Sequence, residues 1–219
     1  MRTFWLVNQR GIDKNFEMKN IIAILCGFAC MTGVVFSANP EVESQIKRIK
    51  KWYQQIESDK SLKKQVIEAK SELPYEPKMI RYTRADGELK KLQIELLSDH
   101  GFTHETYYFH EGELFFIYAV DEYWQFVPSE NGEVDPERPE TLDVGSQQRY
   151  YFSKGKCIRA LEKQAETREG EKLRQLLKEA ENKPLDVDLG AAEYVQKAKL
   201  VSEIKTLKEL NAFLEQFTK

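Results

Sequence analysis

The sequence predicts an α+β domain: an N-terminal helix, a six-stranded antiparallel meander sheet, and two C-terminal helices packed on one face of that sheet. Three observations predict it. Apolar residues recur at helical spacing from Val42 to Ile56. The pattern then switches to alternation, broken by three glycine hairpin signals between Met79 and Lys163. Helical spacing returns from Glu169 to Phe217.

Val42, Ile46, Ile49, Tyr53 and Ile56 fall four and three residues apart, which places them on one side of a helix, and Lys and Glu fill the other side. The pattern loosens at Ser58-Asp59-Lys60-Ser61, and Leu62, Val66 and Ala69 read as its resumption. Pro74 and Pro77 end the helical region, because proline lacks an N–H and biases its predecessor away from α. Further on, Leu92, Ile94 and Leu96 alternate with Lys91, Gln93 and Glu95, the signature of a half-buried strand.

Three hairpin signals share one spelling: Tyr82 with Gly87, Tyr107 with Gly112 and Tyr150 with Gly155, each glycine followed by a second β-prone run. Asp86-Gly87 is the strongest turn signal, since Asp tolerates a left-handed φ. Glu111 and Lys154 do so less readily and point to three-residue turns with a glycine bulge. Three hairpins make six strands. Tyr107-Tyr108-Phe109 and Tyr150-Tyr151-Phe152 each lie three residues before a turn glycine, which reads as an internal duplication. Residues 127–145, with Pro128, Asn131-Gly132, Asp135-Pro136, Pro139 and six carboxylates, read as a long acidic loop, functional or disordered.

Leu173, Leu176, Leu177 and Ala180 define the next helix, which stops at Asn182-Lys183-Pro184. Asp186 or Asp188 caps the last helix, whose apolar side runs through Val195, Ala198, Val201, Ile204, Leu207, Leu210, Leu214 and Phe217.

Residues 21–36 carry no charge; Met18-Lys19-Asn20 precede them and Ser37-Ala38 follow. A charged start, an apolar middle and small residues at the end predict a signal peptide over 18–38. The polar residues 1–17 then read as a mis-assigned extension upstream of a start at Met18, and 39–219 as a single domain. An uncleaved anchor and a lipoprotein acylated at Cys30 remain open as alternatives. Cleavage would remove Cys26 and Cys30, leaving Cys157 without an intramolecular disulfide partner, as a small buried hydrophobe. A domain of about 180 residues buries roughly 70% of the surface its unfolded chain exposes, enough for a core without staples.

Composition is that of a globular protein, 41% hydrophobic and 32% charged, with a net charge of -3 and a pI near 5.8. No basic footprint for nucleic acid is present, so none is expected as a partner. Membrane contact is expected only through the leader.

Candidate chemistry is sparse. His100, His104 and His110 are the weak candidates for a metal, beside Asp99, Glu105 and Glu111. On a strand, however, His104 and His110 lie ~20 Å apart, while ligands of one zinc each sit ~2 Å from it. Cys157 has no histidine brought to it by the sequence, and Ser146 lacks the nucleophile-elbow glycines. No phosphate loop occurs, and no cofactor is expected. Aromatic density remains, from Tyr107 to Phe126. Its surface members, with Tyr107, Tyr108, Tyr118, Tyr123 and Trp124 as candidates, could form a binding platform, or the rings could pack as core.

The leader, the opening helix with Trp52-Tyr53 and Ile56, and hairpins written Tyr-Tyr-Phe-x-x-Gly-Glu/Lys resemble small exported bacterial proteins of unknown function. The hairpin unit is also similar to the repeats of MORN-like and antitoxin-like bacterial proteins. This resemblance implies no catalytic residue. The expected function is a non-enzymatic periplasmic or envelope protein, structural or binding a protein, peptide or glycan. An exported hydrolase, or an inhibitor of an extracytoplasmic enzyme, is the alternative. A concave pocket holding a base of shifted pKa would mark the hydrolase, and a shallow aromatic face the binding protein.

Overall fold

Eight antiparallel strands form one sheet in which every strand pairs with its neighbours in sequence. The computed structural model describes residues 39–68, 75–128, 140–187 and 191–217. The leader, the upstream extension, Cys26, Cys30, Ala69, Asp188 and most of the acidic loop lie outside these residues. In chain order the elements are α1 (Pro40–Ser58), β1 (Lys63–Glu68), β2 (Tyr75–Thr83), β3 (Leu89–Ser98), β4 (Gly101–His110), β5 (Glu113–Val127), β6 (Glu140–Ser153), β7 (Lys156–Thr167), α2 (Leu173–Glu179), β8 (Lys183–Leu185), α3 (Ala191–Glu203) and α4 (Leu207–Phe217). Among the described residues the class is α+β, with eight strands and four helices in place of six and three.

Each departure from the expected order has a local cause. The weak point at Ser58–Ser61 is a true stop: Asp59 Oδ1 accepts from the Ser61 N–H at 2.9 Å and from its hydroxyl at 2.6 Å. Val66 and Ile67, both β-branched, then continue as β1 along Lys78–Thr83 of β2. Pro77 does not end a helix; it is buried in β2, one residue beyond the stretch that β1 pairs, where no ladder donor is needed. Pro184 sits in β8, an edge strand of three residues, for the same reason. The last helix is cut in two by a capping box: Thr206 Oγ1 accepts from the Glu209 N–H, while Glu209 Oε2 accepts from the N–H groups of Thr206 and Lys205. Residues 140–145 are not loop but the start of β6, paired with Glu122–Val127 of β5.

The turns invert the expected ranking. Glu111-Gly112 and Lys154-Gly155 are two-residue turns with positive φ at both positions, 54° and 79° in one, 52° and 73° in the other. At Asp86-Gly87 only the glycine has positive φ; the Gly87 N–H donates to Arg84 O, closing a type I turn with a glycine bulge. Two residues past each two-residue turn the register shifts, so Phe115 and Ile158 are extra residues. These bulges send Phe115 and Phe116 to the same side of the sheet.

Helices cover both faces, not one. On the first face, Ile46, Ile49 and Ile56 of α1 pack on Tyr108, Phe115, Phe116 and Tyr151. The short α2 sits on that face too, its Leu177 and Leu173 against Gly145, where a Cβ would fall 2.7 Å from Leu177 Cδ1. Lys163 donates to the terminal carbonyls of α2. On the second face, α3 and α4 bury Val201, Ile204, Leu210, Phe213 and Leu214 against Met79, Leu92, Tyr107, Ile117, Tyr150 and Phe152. Buried Arg81 reaches up from β2 and donates to the carbonyls of Ser202 and Ile204, closing the end of α3.

Holding Glu111 and Lys154 at positive φ costs about 1 kcal/mol each. Replacing either by Asn should raise stability by roughly 0.5–1 kcal/mol, read as a higher denaturant midpoint with unchanged slope. Asp86→Asn should leave the midpoint where it is, because φ at Asp86 is not positive.

Candidate functional site

Side chains of a strand alternate between faces, and this divides the aromatic candidates. Tyr107 and Tyr123 point to the α3 side of the sheet; Tyr108, Tyr118 and Trp124 point to the α1 side. Tyr107 and Tyr108 are not surface residues: the first is fully buried and the second nearly so. Residues 107–109 lie at the middle of a sheet roofed on both sides, so neighbouring rings of either orientation become core. Tyr118 is half-buried with the Arg149 guanidinium over its ring, 5.3 Å from the centroid. Only Trp124 belongs to an open patch.

The histidines are spread along the sheet. His110, beside the hairpin turn, stacks on Trp52 of α1 with centroids 4.1 Å apart. His100 occupies the β3–β4 turn at the opposite end, 4.4 Å from Trp124. His104 lies between them on β4. Among the described residues no three His, Cys, Asp or Glu side chains converge as metal ligands.

A polar cluster lies under α3. Lys197 donates to Glu105 Oε1 at 2.5 Å, and both side chains are less than 10% exposed. Tyr107 donates to the other oxygen of Glu105, also at 2.5 Å. One hairpin further on, Tyr150 repeats the arrangement by donating to Gln148 two residues before it, and Gln148 in turn donates to Glu162. Tyr194 of α3 closes on Gln148 from above. Burial, followed by the charge of Glu105, pushes Asp121 up to about 6, against the opposing pull of the Thr103 hydroxyl and Lys197. Burial likewise raises Tyr107, Tyr150 and Tyr194. Ser146, opposite Asp121 on β6, has a buried hydroxyl without a hydrogen-bond partner. The sequence signal for this cluster was the shared Glu/Gln-x-Tyr spelling of Glu105–Tyr107 and Gln148–Tyr150.

On the α1 side, Thr106, His104 and Glu95 line up in the order of a hydroxyl, a base and an orienting acid. Thr106 Oγ1 is 2.8 Å from His104 Nε2, and Glu95 Oε1 is 3.4 Å from Nδ1. Burial lowers the His104 pKa, with Glu95 pulling the other way. Thr106, however, is only 2% exposed. It lies on β4, whose backbone N–H groups are taken up in ladders with β3 and β5, leaving no pair free to hold an oxyanion. The two shallow recesses that stand out among the described residues lie elsewhere: one on α4 beside Leu207 and Asn211, the other on α1 beside Arg48 and Lys154. Neither includes Asp121, His104 or Thr106.

What remains accessible is the end of the α1 face that neither α1 nor α2 covers. Leu97 is 52% and Phe126 46% exposed there, with Phe102 and Trp124 partly exposed between them. Trp124 is held edge-on to Phe126 at 5.1 Å, and its indole N–H donates to Asp99 O at 3.1 Å. Its backbone N–H donates to His100 O. Gly101 permits this: a Cβ there would lie 2.5 Å from Glu122 O and 2.9 Å from Tyr123 Cβ, so only glycine lets β5 approach the turn.

Comparison with protein-family models, with curated proteins and with solved structures finds no match to this chain.

Two measurements follow from the buried cluster. The folded state binds the Asp121 proton more tightly than the unfolded one. The stability this gives is complete below about pH 3.8 and is lost as pH rises through about 6. Asp121→Asn should therefore stabilise the protein by about 3 kcal/mol at pH 7 and match wild type near pH 3.5, in paired denaturation curves. Lys197→Met should cost about 3–5 kcal/mol at pH 7, because it strands the Glu105 carboxylate.

Proposed function

We propose that this chain is an exported, non-enzymatic protein that binds a polypeptide partner through the uncovered end of its α1 face. The observation that supports this is the grouping of Leu97, Phe102, Trp124 and Phe126 on one accessible stretch of a rigid sheet. Asp121, with its raised pKa, and His104, with its lowered one, lie outside both recesses among the described residues, so neither supports the hydrolase reading. Polypeptide fits better than glycan. The Trp124 N–H is already committed to Asp99, so the patch offers apolar ring surface and few donors to sugar hydroxyls. Export rests on the apolar stretch at 21–36 and the small residues after it; among the described residues no helix is long and apolar enough to cross a membrane.

Site-specific photo-crosslinking in cells tests the reading. A photoreactive residue placed at Leu97 or Phe126 should give one discrete protein adduct, and Trp124→Ala should abolish it. The same probe at Leu200, exposed on the opposite side on α3, should give none. Equal adducts from all three positions, or none from any, would contradict the assignment.

A further inference from the structure

We infer that the partner segment is cationic as well as apolar; this rests on the docking patch just proposed and specifies its chemistry. Charge complementarity around the exposed rings supports it. Among the described residues around the patch, two cations are already engaged with carboxylates. Lys78 pairs with Glu68 at 3.0 Å and Arg174 with Glu122 at 3.3 Å. Three further carboxylates, Glu95, Asp99 and Asp143, have no lysine or arginine among these pairs. Glu95 lies 3.4 Å from His104 and across the ladder from Lys78, whose salt-bridge partner is Glu68. Asp99 is exposed in the turn beneath Trp124, and Asp143 lies across the ladder from Trp124 on β6.

The apolar centre is thus rimmed by surplus negative charge on three sides. An incoming acidic segment would meet like charge at short range, whereas lysine or arginine would find carboxylate partners at the edge of a ring surface that also favours cations. The neighbouring Arg174 is solvent-exposed and therefore exchangeable: its side chain is 80% exposed. A partner guanidinium can replace Arg174 at little net expense.

The test uses the purified full chain and two short synthetic peptides, one alternating Lys with Leu and one alternating Glu with Leu, each fluorescently labelled for anisotropy titration. The Lys/Leu peptide should bind at least about tenfold more tightly at low ionic strength, with the preference collapsing in molar salt. Phe126→Ser and Leu97→Ser, both at exposed positions, should each weaken its binding about tenfold while leaving the unfolding midpoint unchanged. Glu95→Gln combined with Asp99→Asn should erase most of the charge preference and leave the residual apolar binding. If the Glu/Leu peptide binds as well as the Lys/Leu peptide and Phe126→Ser still abolishes both, the patch stands and the cationic inference falls. If neither surface substitution changes binding of either peptide, the docking patch itself is wrong and the inference falls with it.

Discussion

Tyr107 and Tyr108 are adjacent on β4, point in opposite directions and are both buried, so the centre of this sheet has to be roofed on two sides. The rest of the architecture follows from that requirement. One roof is α1, anchored by Ile46, Ile49 and Ile56; the other is the α3–α4 pair, anchored by Val201, Leu210 and Phe213. Burying the rings also brings their hydroxyls inside, where each needs an acceptor: Tyr107 takes Glu105 and Tyr108 takes Glu57. A buried carboxylate then needs a cation, which α3 provides as Lys197. The polar cluster under α3 is thus explained as a consequence of packing tyrosines in a two-sided sheet.

The same requirement explains why one end of the sheet is open. The strands β4 to β6 run 10, 15 and 14 residues, far longer than a helix lying across them is wide. On the first face α1 covers the end near the hairpin turns, and the seven-residue α2 covers only the ground above Gly145. Leu97, Phe102, Trp124 and Phe126 fall beyond both. Trp124 is nonetheless held by two hydrogen bonds to the β3–β4 turn, so the patch is a fixed surface rather than a frayed strand end.

Much of this was legible in the sequence, and the parts that were not have identifiable reasons. Alternation and the three turn glycines were enough for the β2–β7 meander, and the Ile46–Ile56 spacing for α1. Alternation cannot tell a wet face from one covered by a distant helix, so Tyr107 and Tyr108 were indistinguishable from surface rings. A six-residue segment such as Lys63–Glu68, apolar only at Val66-Ile67, fits helix and strand alike, and only its pairing with β2 decides. The Thr206–Glu209 capping box and the repeated Glu/Gln-x-Tyr were visible but gave way to longer-range periodicity. Lys197 meeting Glu105 across 92 residues has no local signal at all.

The central claim is that the sheet is covered at one end and open at the other, and hydroxyl-radical footprinting of the purified full chain with residue-level mass spectrometry tests it directly. The account predicts rapid oxidation of Trp124, Phe126 and Phe102, and slow oxidation of Tyr107, Tyr108, Phe115 and Phe116 relative to their intrinsic reactivities. Protection of Trp124 and Phe126 equal to that of Tyr108 would show that the end is covered in solution, and would contradict the account.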